Sequence, residues 1–183
     1  MNSEIKKHSS GSVLWAVLVM PLLLNDKVSA ADNVIFTGDL VAEACSLRPG
    51  DDAITLDMSD VSSQYLYANS RTVGKRFRIH LEGCDTRISD AVTTTFSGRE
   101  SIELPGLLKL DASSVAAGIA LGIETPANVP LLLNATSDEQ SLSDGNNIIE
   151  FKAFIKGEPR ALADKTIRAG AFAATSTFIL SYP

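Results

Sequence analysis

Histidine, cysteine and tryptophan are scarce in this 183-residue chain, and the scarcity excludes several classes of function. The chain has two histidines, His8 and His80, together with two cysteines and a single tryptophan. A hydrolase triad needs a histidine beside its nucleophile, and a zinc site needs several His or Cys ligands at short spacing. The sequence also lacks a phosphate-binding glycine loop and a calcium loop. We therefore expect no enzyme, no metal site and no cofactor.

Basic residues are fewer than acidic ones. The chain has 16 Lys and Arg residues and 22 Asp and Glu residues, which gives a formal net charge of −6 at pH 7. The basic residues form no cluster along the sequence. Nucleic acids and anionic membranes attract proteins through concentrated Lys and Arg, so an acidic chain without such a cluster is a poor candidate for either.

A long hydrophobic run is missing too. The apolar run 13–24 is interrupted by Pro21 and is shorter than the roughly 20 residues that a membrane-spanning helix needs. Lys6 and Lys7 precede this run, and small residues that a signal peptidase reads follow it at 28–30. This order is typical of a secretory signal. We expect export, removal of residues 1–30, and a mature chain without a membrane span.

The two cysteines, Cys45 and Cys84, both lie in the expected mature part. Two cysteines in an exported protein indicate one disulfide, whereas the alternative is a pair of buried free thiols. Export favours the disulfide. On the loop-entropy account the bond stabilises the fold by roughly 4 kcal/mol.

Alternating apolar residues predict a protein made of short strands. Phe77, Ile79 and Leu81 point to one face of a strand, and turn-rich stretches at 48–52 and 143–147 separate such segments. The same period marks 92–96, 119–123, 149–155 and 172–182. Short helical turns are expected within 59–70 and 113–118. This pattern favours an all-β sandwich with Greek-key connections.

One alternating segment lies at the start of the mature chain. Val34, Phe36, Gly38, Leu40 and Ala42 share one face at period two. The segment is either the first strand of the sandwich or a strand that docks elsewhere, since chain ends are poorly ordered unless they are tied down. Composition favours the first strand.

Several of these features together resemble a known family. The segment 36–45 ends in a cysteine, Cys84 ends a strand, and 147–153 combines an asparagine with aliphatic, phenylalanine and alanine residues. Gly170 is the fourteenth residue counted back from the C-terminus, and Tyr182 is penultimate. In this order the features resemble the pilins of chaperone–usher fimbriae, such as type 1 and P pilus subunits.

The resemblance implies an incomplete immunoglobulin-like sandwich with six strands of its own. A periplasmic chaperone first supplies the missing strand, and a neighbouring subunit then replaces it at an outer-membrane usher. The implied donor strand comprises Val34, Phe36, Gly38, Leu40 and Ala42. The implied acceptor groove comprises Gly170, Phe172, Phe178, Leu180 and Tyr182.

The resemblance also implies domains and a location. Residues 1–30 would be the signal peptide, 31–44 the donor extension and 45–183 the pilin domain, displayed on the cell surface after passage through the periplasm. A minor adaptor, a terminator or an adhesin-like binding subunit remains an alternative role. An adhesin is disfavoured because no receptor domain precedes the pilin domain, and few aromatic side chains are present to stack on a sugar.

Overall fold

The computed structural model describes residues 42–183, which form eight β-strands and two short α-helices. The strands are β1 (Ser46–Leu47), β2 (Lys75–Cys84), β3 (Ala91–Ser97), β4 (Ile119–Glu124), β5 (Pro130–Leu131), β6 (Gln140–Ser141), β7 (Gly145–Gly157) and β8 (Thr177–Ser181). The helices are α1 (Ser63–Asn69) and α2 (Pro159–Ala163), and a 3-10 turn spans Asp51–Ala53. The expected signal peptide and the expected donor residues Val34, Phe36, Gly38 and Leu40 lie outside the described residues. Within 42–183, neither helix has the length and hydrophobicity to cross a membrane.

The strands form two antiparallel sheets, as the all-β prediction requires. One sheet has the order β1-β2-β7-β4-β5 and the other has the order β6-β3-β8. The predicted number of strands was six, whereas the described part of the chain contains eight. Five of these, β2, β3, β4, β7 and β8, are long enough to show the period of two, whereas β1, β5 and β6 have two residues each and are too short to show it.

The main core lies between the two sheets. Ile79 pairs with Ile149 and Phe77 pairs with Phe151 across β2 and β7, so these side chains enter the core side by side. Phe96 comes from β3 in the opposite sheet, and its ring centroid lies 5.0 Å from that of Phe151 in an edge-to-face arrangement. Such aromatic pairs contribute beyond the area that they bury, so this cluster fastens one sheet to the other.

A disulfide joins Cys45 to Cys84 across 39 residues of sequence. Both cysteines are buried in the main core, together with Ala44. The Ala44 carbonyl accepts a hydrogen bond of 2.8 Å from the Asp85 amide. Ala44, which the sequence assigns to the extension, therefore packs as part of the folded domain.

The short helices agree only partly with the sequence. α1 lies inside the predicted range 59–70, but α2, which begins at Pro159, was not expected. The helical turn predicted at 113–118 is wrong. The Val115 and Ala116 amides both donate to the Ala171 carbonyl, and Ala117 pairs with Arg168, so contacts distant in sequence override the local preference.

A second, smaller core fills one end of the sandwich. Leu66 of α1, Ala116, Ile119 of β4 and Ile155 of β7 are its buried members, and Phe172 packs against them. The last part of the chain therefore touches both cores, because Phe178, Leu180 and Tyr182 pack against the main one.

A buried charge network stabilises the outer face of the larger sheet. Glu124 of β4 is fully buried, and its Oε2 accepts a 2.9 Å hydrogen bond from the Arg71 guanidinium. Lys152, which pairs with Glu124 across β4 and β7, places its Nζ 3.7 Å from Oε1. The Arg71 guanidinium also lies 3.6 Å above the centre of the Phe154 ring. Two cations thus compensate one buried carboxylate.

Arg71→Met should destabilise the fold, because it removes the closer partner of a carboxylate that has no access to water. Breaking a buried pair from one side costs about 3 kcal/mol. Arg76→Met is the control, since its 2.8 Å pair with Glu150 lies on the exposed surface and is worth at most about 1 kcal/mol. Urea unfolding measures the loss of unfolding free energy in both variants. Equal losses would contradict a stabilising role of the Glu124 network.

Candidate strand-binding groove

An open groove with a volume of about 1310 Å³ runs along one edge of the sandwich. One side is formed by residues 52–61, here called the 52–61 wall, and the other by residues 170–178, here called the C-terminal wall. Between the walls, the floor is lined by apolar residues of β1, β2, β3, β4 and β7 and by Leu108: Leu47, Phe77, Phe96, Leu108, Leu121, Ile123 and Ala153. The groove therefore has an apolar floor beside the main core.

The C-terminal wall is hydrogen-bonded along one side. β8 pairs with β3, and further upstream the Ala171 and Ala173 carbonyls accept hydrogen bonds from residues 111–116. Among residues 42–183, no strand pairs with the other side of β8, which is an end strand of its sheet. Within 42–183, the outward-facing N–H and C=O groups of this edge therefore have no strand partner.

The 52–61 wall begins in the 3-10 turn, and beyond this turn residues 54–61 belong to no helix or strand. Residues 55–61 make no backbone-to-backbone hydrogen bond with another residue of 42–183. Leu56 and Met58 are half-buried while Thr55 and Asp57 are exposed, so the side chains alternate as they do in a strand. The groove is therefore flanked by two backbone edges that have no backbone partner on the groove side within 42–183.

The structure brings three of the five expected acceptor residues to the groove. Gly170, Phe172 and Phe178 line it, whereas Leu180 and Tyr182 lie further along the chain and pack against the main core. Sequence reasoning did not find the 52–61 wall. Its signal was the short alternation of Ile54, Leu56 and Met58, which the turn-rich residues before it obscure.

Comparison with known proteins identifies the class of molecule that carries this groove. A family model described as "Fimbrial protein" matches residues 34–183. The chain belongs to the fimbrial protein family. It is 33% identical to the Fimbria A protein of Serratia marcescens over 90% of this chain and 94% of that one. It is 32% identical to the fimbrial adapter PapK of Escherichia coli over 83% of this chain and 88% of that one.

Solved structures agree on the fold. The P pilus rod subunit PapA matches with a TM-score of 0.66 and 21% identity, over 77% of this chain and all of that one. A subunit in a chaperone–usher pilus structure also reaches a TM-score of 0.66, over 85% of this chain and 97% of that one. The molecule is thus a chaperone–usher fimbrial subunit with the pilin sandwich, and its family is one of structural proteins of surface fimbriae.

Gly170 allows the C-terminal wall of this fimbrial subunit to lie close to the smaller core. Its φ of +155° lies where side chains are strained. A Cβ atom added there would lie 2.6 Å from Val115 Cγ1 and 3.1 Å from the Ala116 amide nitrogen. Both backbone conformation and space therefore require glycine at this position.

Gly170→Ala should destabilise the fimbrial subunit by about 2–4 kcal/mol, because backbone strain and crowding against Val115 act together. Gly145→Ala is the matched control. Its φ is +91° and no atom lies within 4 Å of the added Cβ, so it should cost about 1–2 kcal/mol. Chemical denaturation gives the loss of unfolding free energy for each variant. If Gly170→Ala loses no more than Gly145→Ala, crowding against Val115 does not contribute.

A polar clasp fixes the start of the 52–61 wall. The buried Asp51 carboxylate accepts a 2.7 Å hydrogen bond from the His80 amide, and His80 Nδ1 lies 2.7 Å from the same oxygen. Arg48 donates to the other oxygen at 2.9 Å. The His80 amide, and after it the His80 ring and Arg48, lower the pKa of Asp51 to about 2, against the opposing effect of burial. His80 is thus part of the clasp.

The clasp predicts a specific loss of stability in acid. Because the pKa of Asp51 is lower in the folded than in the unfolded chain, its contribution to stability is complete above about pH 5 and is lost as the pH falls towards about 2. The difference in urea midpoint between the wild type and Asp51→Asn should therefore be constant above pH 5 and shrink towards pH 2. Asp138→Asn, on an exposed loop, is the control. A difference that does not change with pH would contradict the clasp.

Proposed function

We propose that this fimbrial subunit assembles into a fibre by accepting a strand from another chain into its groove. The observation that carries the proposal is the apolar groove between two backbone edges: within 42–183, residues 55–61 make no backbone-to-backbone hydrogen bond, and β8 is an end strand of its sheet. A strand placed there would bond to both walls through its backbone, while its alternate side chains filled the floor. This is β-augmentation.

The incoming strand fits the pattern of residues 34–42 of a second subunit. Val34, Phe36, Leu40 and Ala42 would face the floor, which includes Phe77, Phe96 and Leu121. Gly38 would pass the tightest point of the groove. Ala42 is exposed, which suits a segment that leaves its own domain before Ala44 enters the core.

A periplasmic chaperone would occupy the groove first, and exchange at an outer-membrane usher would then pass it to the next subunit. An open apolar floor and free strand edges favour aggregation, so the chain needs such protection after its export through the signal peptide of residues 1–30. The open groove favours a subunit that receives a successor over a fibre terminator. His80, held by Asp51, supports a structural role and not a catalytic one.

Gly38→Leu should block exchange, because a bulky side chain at a tight point of the groove costs roughly 1–3 kcal/mol or more. The variant should still fold and form its own chaperone complex, since the extension would not belong to its core. Strand exchange between chaperone-bound subunits in vitro measures the effect. Polymerisation at the wild-type rate would show that 34–42 is not the donor strand.

The acceptor side is tested by Phe178→Glu. This change places a charge in the groove, where it has no partner, and should reduce the yield of the chaperone complex itself. Ile148→Glu is the control, because Ile148 is exposed on β7 and does not line the groove. Equal yields of the two complexes would argue against the groove as the binding site.

A further inference from the structure

The 52–61 wall is separated from β2 by a second cavity. This space has a volume of about 620 Å³ and lies between residues 53–56 and the stretch Arg76–His80 of β2. Residues 53–56 also line the groove on their other side. Residues 53–56 of the wall thus have open space on both sides. This space leaves room for them to move towards or away from the C-terminal wall.

Polar contacts with β2 hold the wall near its two ends. At the first end, Asp51 lies just before the wall. Its carboxylate accepts a 2.7 Å hydrogen bond from the His80 amide, and His80 Nδ1 lies 2.7 Å from the same oxygen. At the second end, the Lys75 ammonium donates to the Asp57 carbonyl and to the Ser59 hydroxyl, the latter at 3.2 Å. Residues 52–56 lie between these two attachments.

We propose that Asp51 and Lys75 are positioning residues for strand addition, which hold the 52–61 wall at the distance from the C-terminal wall that an incoming strand requires. The inference rests on the proposed strand-accepting function and names what prepares its site. Asp51 acts through His80, and Lys75 acts through the wall backbone.

The physical reason is preorganisation. A strand can bond to both walls at once only if their N–H and C=O groups are already at the right spacing. A loosened wall must lose conformational freedom when the strand arrives, and each newly ordered backbone residue slows or weakens binding. Freeing about one further residue corresponds to roughly a fivefold to thirtyfold effect.

The test uses the full-length mature subunit bound to its chaperone and a labelled synthetic peptide of residues 31–44 as the incoming strand. Asp51→Ala and Lys75→Met should take up the peptide about fivefold to thirtyfold more slowly than the wild type. Asp138→Ala and Lys109→Met, exposed residues that line neither cavity, should react at the wild-type rate. Lys75→Arg keeps a donor for Asp57 and Ser59 and should restore uptake to near the wild-type rate, which a general loss of stability would not do.

Each outcome decides a separate claim. If Asp51→Ala and Lys75→Met take up the peptide at a rate within twofold of the wild-type rate, or faster, the positioning role is wrong. The groove would still be the acceptor. If Asp51→Ala yields no chaperone complex, the comparison of Lys75→Met with Lys75→Arg decides alone. Failure of the wild type itself to take up the peptide would instead overturn the proposed function.

Discussion

The rest of this fimbrial subunit is organised around a gap that one more strand would fill. Backbone N–H and C=O groups that lack partners are costly once they are removed from water, so two edges without a backbone partner within 42–183, beside an apolar floor, favour the addition of a strand. Filling the groove would complete the core and the sheet together. On the proposed function, the same gap would expose the isolated subunit to aggregation and would let a chain of such subunits form.

The remaining structure keeps this gap open and in shape. The disulfide links Cys45 to Cys84, and the Phe77, Phe96 and Phe151 cluster fastens the two sheets to each other beside the groove. Gly170 sets the C-terminal wall against the smaller core, and the Asp51 clasp sets the beginning of the opposite wall. Packing is therefore close at Gly170 on the C-terminal side, whereas residues 53–56 on the other side border a second cavity.

The sequence predicted the long strands well, because β2 and β7 each bury one face and show the period of two that this requires. It also predicted the disulfide between Cys45 and Cys84 and a strand near the C-terminus, where β8 lies. It missed the 52–61 wall and the two-residue strands, whose alternation is too short to stand out from turns. The helix expected at 113–118 failed because Val115 and Ala116 bond to Ala171, a contact distant in sequence. The burial of Glu124 likewise depends on Arg71 and Lys152, which no local pattern brings together.

Amide hydrogen exchange across both walls tests the central claim most directly. The measurement compares the chaperone-bound subunit, the subunit joined to a neighbour, and the subunit transiently released from both. Peptides covering 52–61 and 177–181 should gain protection together whenever a strand occupies the groove and lose it together on release, since one strand would bond to both edges. Protection that persists in the released subunit, or that appears on one wall alone, would contradict the account of a sandwich completed by another chain.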